Sequence, residues 1–151
     1  MSDEVKDERD KLVRLLFGDQ QPMYTDKFGL PLTLMEWAKL MEDLEYRMVG
    51  HTELEQTIKN PPSRLSTVWL GLNHAFWPQG PPLTFETMRF SLIESTRESI
   101  TGWPFKYFPS LEFPDPEDNA EYTDQIRWST EEQARLGHAR IVRLIQELEM
   151  Q

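Results

Sequence analysis

The chain contains no cysteine, which excludes disulfides, thiolate nucleophiles and every zinc site that depends on cysteine ligands. A reducing cytoplasm fits that composition. No apolar run approaches the roughly 20 residues of a membrane span, and the opening Met1-Ser2-Asp3-Glu4 is acidic where a signal peptide is basic. Neither a membrane-embedded protein nor one secreted by that route is expected. Basic charge is scarce as well: 16 Lys and Arg against 26 Asp and Glu leave a formal net charge of −10. That balance disfavours nucleic acid and anionic lipid as partners, because neutralising phosphates takes a Lys/Arg surplus, and favours a basic target. Also missing are the Gly-x-Ser-x-Gly elbow, the P-loop, the dinucleotide fingerprint and the His-Glu-x-x-His zinc motif. The large enzyme classes built on those motifs are disfavoured, and no cofactor or metal is expected.

What is present is one small domain's worth of chain, 151 residues with eight Phe, five Trp and four Tyr to fill its core. Residues 1–20 read as a helical extension, charged along most of its length, with Ser2 as N-cap and Gly18 as its end. Short apolar arms at Met23-Tyr24 and Leu30-Pro31-Leu32 flank a turn-like Asp26-Lys27-Phe28-Gly29, which predicts a hairpin with Pro31 confined to an edge. Thr33-Leu34-Met35-Glu36 has capping-box spacing and starts a helix at Leu34, whose apolar face is Leu34, Trp37, Leu40, Met41 and Leu44. A strand follows over 46–54, interrupted at Gly50.

Alternation then predicts strands over 65–72 and 83–90 that pair as a hairpin, with Leu83, Phe85, Thr87 and Arg89 on one face and Thr84, Glu86, Met88 and Phe90 on the other. Prolines and aromatics make 91–123 an irregular insertion, and strand-like alternation resumes over 122–128. Capping-box spacing at Ser129-Thr130-Glu131-Glu132 opens a last helix whose packed stripe is Ala134, His138, Ile141, Val142, Ile145 and Leu148. Residues 21–151 therefore read as a single α+β domain: a mostly antiparallel sheet of about four or more strands with two or three packing helices.

Three blocks stand out as motifs: Ser66-Thr67-Val68-Trp69-Leu70-Gly71-Leu72-Asn73-His74, Gly80-Pro81-Pro82-Leu83-Thr84-Phe85-Glu86-Thr87-Met88, and Arg127-Trp128-Ser129-Thr130-Glu131-Glu132-Gln133-Ala134 with Gly137-His138. Together they resemble a family of small proteins of tailed bacteriophages, particularly those of actinobacteria, with segments of the kind STVWLGLDHxF, GPPLIFETMVF and RYSTEEEAxxGH. The resemblance extends upstream to Tyr24–Leu32, Glu36-Trp37-Ala38 and Glu45-Tyr46-Arg47. It implies a phage origin and a host-cytoplasm or virion location, and it brings no activity with it. Two departures stand out: Asn73 occupies the family's usual Asp position, and 91–123 replaces a short Gly-rich connection.

Among the three histidines, His74 at a strand end, Glu86 on the partner strand and His138 on the last helix are the catalytic or ligand candidates, should they converge near Asn73. The binding candidates are the loop residues Asn73, His74, Phe76 and Trp77, the aromatics Trp103, Phe105 and Tyr107, and the acids Glu112, Asp115, Glu117 and Asp118. The expected function is that of a non-catalytic phage accessory protein binding a host protein or a small signal molecule. A minor virion component and a His/Glu metal or acid/base enzyme are the alternatives.

Overall fold

The computed structural model describes residues 4, 5, 7, 8, 11, 12, 15, 22–73, 81–118 and 120–150. In the first segment the described residues are helical, and Lys11 pairs with Asp7 one turn away at 2.7 Å. The expected caps Ser2 and Gly18 lie outside the described residues.

The fold is α+β, as the alternation implied. A five-stranded antiparallel sheet runs β1 (Met48–Leu54), β2 (Ser63–Trp69), β3 (Phe85–Ser91), and β3's far edge is shared by β6 (Ser110–Leu111) and β9 (Gln125–Trp128). Strands β2 and β3 pair as the predicted hairpin, Ser63 opposite Ser91 and Trp69 opposite Phe85. Helix α1 (Leu34–Met41) is capped by Thr33 with the reciprocal Glu36 bond, and a second short helix, α2 (Leu44–Arg47), starts on Asp43 as N-cap. Leu44 thus belongs to a new helix, and Leu34 and Leu44 are exposed; the packed face of α1 reduces to Trp37, Leu40 and Met41.

Helix α3 (Glu131–Glu149) lies across one face of the sheet and makes it the inner face. Its N-cap is Thr130, one residue later than the Ser129 box, because Gln133 supplies both bonds: its backbone N–H donates to Thr130 Oγ1 at 3.1 Å, and its carbonyl Oε1 accepts from Ser129 at 2.8 Å. The buried stripe is Ala134, Gly137, His138, Ile141, Leu144, Ile145 and Glu149. Leu148, expected inside, is exposed, and Glu149 takes the buried place.

The core has two apolar clusters. Leu54, Leu65, Phe113, Ile141 and Ile145 fill one end; Trp69, Phe85 and Ala134 fill the other, beside Trp37, Tyr46 and Trp128. At the second end Trp69 donates from Nε1 to the Thr25 carbonyl at 3.1 Å, which ties the 22–32 segment to β2, and Trp37 donates from Nε1 to the Leu70 carbonyl at 2.8 Å, which ties α1 to the residue just after β2. Gly71, at φ +65°, lies so close over Trp69 that a Cβ there would sit 2.2 Å from the indole ring.

The 91–123 segment is less irregular than its composition suggests. Strands β4 (Ser95–Glu98) and β5 (Pro104–Tyr107) form a two-stranded ladder of their own, Ser95 opposite Tyr107 and Glu98 opposite Pro104, and β7 (Phe113–Pro114) pairs with β8 (Tyr122–Thr123). Phe113 and Pro114 are buried, so the insertion is anchored in the core at its far end. No helix among the described residues is long and apolar enough to cross a membrane.

Candidate binding surface

The polar candidates divide between the two faces of the sheet, because side chains alternate along each strand. His138 is on the inner face, buried beneath Gly50, while Glu86 is on the outer face. The sheet itself separates them, so the expected convergence of Glu86 with His138 does not occur. His74, Phe76 and Trp77 lie outside the described residues. Among the described residues no group of three metal-binding side chains comes together.

His138 is instead the middle of a buried chain of hydroxyls. Trp128 Nε1 donates to Thr87 Oγ1 at 3.0 Å, the Thr87 and Thr67 hydroxyls hydrogen-bond at 2.6 Å, Thr67 meets His138 Nδ1 at 2.8 Å, and Thr52 meets Nε2 at 2.8 Å. An indole N–H only donates. Its bond leaves the Thr87 oxygen a second lone pair, so the Thr87–Thr67 bond and both imidazole bonds can run in either direction, and the His138 tautomer follows that direction. Burial, aided by the nearby His51, holds His138 below its ordinary value and keeps it neutral. Glu86 is likewise committed, accepting from Arg127 Nε across the strands at 3.2 Å.

The other buried polar centre was not among the sequence candidates. Arg89 on β3 and Glu149 at the end of α3 are both fully buried. Arg89 Nη1 donates to Glu149 Oε1 at 3.2 Å and to the Glu112 carbonyl at 3.3 Å, and Nε donates to Ser63 at 2.9 Å. Nη2 lies 3.0 Å from Glu149 Oε2, off the line of a hydrogen bond, so that contact is Coulombic. Glu149 also accepts from Thr57 at 3.3 Å and Asn60 at 3.2 Å. This centre clasps the C-terminal turn of α3 to the sheet. The guanidinium also offsets a carboxylate placed at the negative end of the helix dipole.

Of the binding candidates, Asn73 is a structural tie: its Oδ1 accepts from the Leu83 N–H at 3.2 Å, a role an Asp oxygen would serve equally. The aromatics fall together on the β4–β5 hairpin. A turn held by Gly102 N–H to the Ser99 carbonyl and Ser99 N–H to the Trp103 carbonyl, both 2.9 Å, presents Ile100 and Trp103 at its tip. Trp103 is 76% exposed, Phe105 44% and the following Phe108 51%. Tyr107 is half-buried, with the Phe105 ring 6.0 Å away and the Arg97 guanidinium 5.4 Å from its centroid.

The acids Glu112, Glu117 and Asp118 are exposed, whereas Asp115 caps a turn, its Oδ1 accepting from the Glu117 N–H at 2.8 Å. Beyond the hairpin the outer face of the sheet runs in rows, Glu53–Arg64–Phe90–Ser110, His51–Ser66–Met88–Gln125 and Met48–Val68–Glu86–Arg127, half-buried on the central strands. No family model matches the chain, and comparisons with curated proteins and with solved structures likewise returned no match.

Proposed function

We propose that this chain is a non-catalytic phage accessory protein that binds a host protein through the β4–β5 hairpin. The observation that carries the reading is a run of exposed apolar residues on a hairpin outside the main sheet: Ile100 and Trp103 in its turn, Phe105 on its hydrogen-bonded ladder and Phe108 just after it. Large aromatics held in water are unfavourable unless a partner covers them, and Trp is enriched among the residues that dominate interface energies. A ladder that already fixes the backbone also lowers the entropy lost on association.

The remaining candidates support a binding role over a catalytic one. His138 and Glu86 are occupied by hydrogen bonds that hold the fold, on opposite faces of the sheet. The exposed acids Glu112, Glu117, Asp118, Glu121 and Asp124, in a chain of net charge −10, favour a partner with a basic rim and speed its approach. Phage origin and a host-cytoplasm location rest on the motif resemblance.

Affinity capture from a host lysate tests the reading, with wild-type and Trp103→Ser/Phe105→Ser proteins run side by side. A host protein retained by wild type and lost by the double variant is expected. Equal recovery by both, with the variant's fold intact by circular dichroism, contradicts a hairpin interface.

A further inference from the structure

We propose that the outer face of the sheet holds a site for a small apolar carboxylate, an aromatic or branched aliphatic group with one acid function. The site is a depression of about 330 Å³ where β3 leaves the sheet, lined by Arg64, Phe90, Ser91, Leu92 and Phe108. That volume is in the range of small-ligand pockets, roughly 300–1,000 Å³. It shares Phe108 with the aromatic surface of the hairpin but none of the tip residues Ile100 and Trp103, and it does not depend on a protein partner there.

The register builds the site. Arg64 on β2 stands directly between Glu53 on β1 and Phe90 on β3, so its guanidinium borders the aromatic floor on one side and a carboxylate on the other. Among the described residues its ion pair is a single long contact, Nη2 to Glu53 Oε1 at 3.3 Å, and that Glu is 62% exposed. Its Nε is buried with no partner among the described residues. The cation is therefore held loosely, by a pair of the exposed kind that contributes little.

The other polar side chain of the lining is already satisfied: Ser91 Oγ donates to the Ile93 carbonyl at 3.1 Å and accepts from the Ile93 N–H at 3.0 Å. The site thus offers one guanidinium and an otherwise apolar wall. Its complement is one carboxylate on an apolar body. The body displaces water from Phe90, Leu92 and Phe108, and the drier surroundings strengthen a fork-to-fork Arg–carboxylate pair over the existing contact with Glu53. A phosphate, with its second charge, would meet Glu53 without a second cation to balance it.

Titration of the ¹⁵N-labelled chain with 3-phenylpropanoate, and separately with its amide, tests this. Saturable shifts of the Ser91 and Leu92 amides are expected with the acid, and the amide should bind about tenfold more weakly or worse, the loss of one charge-assisted pair. Arg64→Met should weaken the acid by a similar factor, whereas Glu53→Gln should tighten it, because the competing carboxylate is gone; a merely structural Arg64 would give no such opposite pair. The same spectra report whether each variant is folded. Equal affinity for acid and amide, or indifference to both substitutions, overturns the site. A peptide ending in Phe that outcompetes the small acid overturns the small-molecule assignment.

Discussion

Replacing Glu149 with Ala leaves the Arg89 guanidinium stranded where neither partner has any solvent exposure. Breaking a buried pair by deleting one member costs about 3–5 kcal/mol, because the surviving charge stays desolvated. Arg89 would keep Ser63 and the Glu112 carbonyl, and Thr57 and Asn60 would each lose an acceptor. With a urea slope of about 2 kcal/mol/M, a loss of about 4 kcal/mol moves the denaturation midpoint by about 2 M. That is a large part of the 5–15 kcal/mol a domain of this kind has in total. Equilibrium urea unfolding, followed by both tryptophan fluorescence and far-UV circular dichroism, measures it. The double variant Arg89→Met/Glu149→Leu is the control: it removes both charges and should recover most of the loss, since apolar replacement of a buried pair is often neutral or stabilising. A single-variant loss under about 1 kcal/mol, or a double variant as unstable as the single, would refute the reasoning.

Three further outcomes follow from the packing. The unfolded chain takes up a proton on His138 near its ordinary 6.5 and the folded chain only at lower pH, so stability is complete above that value and declines as pH falls through the window below it; thermal melts should show this component disappear in His138→Gln. Gly137→Ala places a Cβ 2.2 Å from the Trp128 ring, so overpacking of about 1–3 kcal/mol should outweigh the helix-propensity gain of about 1 kcal/mol and lower the melting temperature. Replacing Glu117, Asp118, Glu121 and Asp124, all exposed, by the amides should change stability by less than about 0.5 kcal/mol while slowing partner association at low salt, read by stopped-flow or surface plasmon resonance.

The β2–β3 hairpin was legible because strict alternation survives along both strands: Ser63, Leu65, Thr67 and Trp69 face inward against Phe85, Thr87, Arg89 and Ser91. The Thr33 cap was legible because its chemistry is local, four residues reading one another. Helix α3 was legible except at its ends. Gln133 competes with Glu132 for the capping role, and Glu149 enters the core only because Arg89, distant in sequence, waits there. No local pattern announces such a pair, although an Arg on the apolar face of a strand was its one available signal.

Glu86 and His138 illustrate the opposite failure. Both residue types suit a site, but parity on β3 sends Glu86 outward while α3 covers the inner face. The β4–β5 hairpin escaped notice because its residues are almost all exposed and so carry no alternation, and Pro104 reads as a break where the structure uses it to begin a strand.

The central claim is that the β4–β5 hairpin is where a protein partner binds. Hydrogen–deuterium exchange on the chain alone and with a captured host protein tests it most directly, residue by residue. New protection concentrated over residues 95–108, with little change on α3 and β1, is the expected result. Unchanged exchange across the hairpin in a complex of confirmed stoichiometry would contradict it.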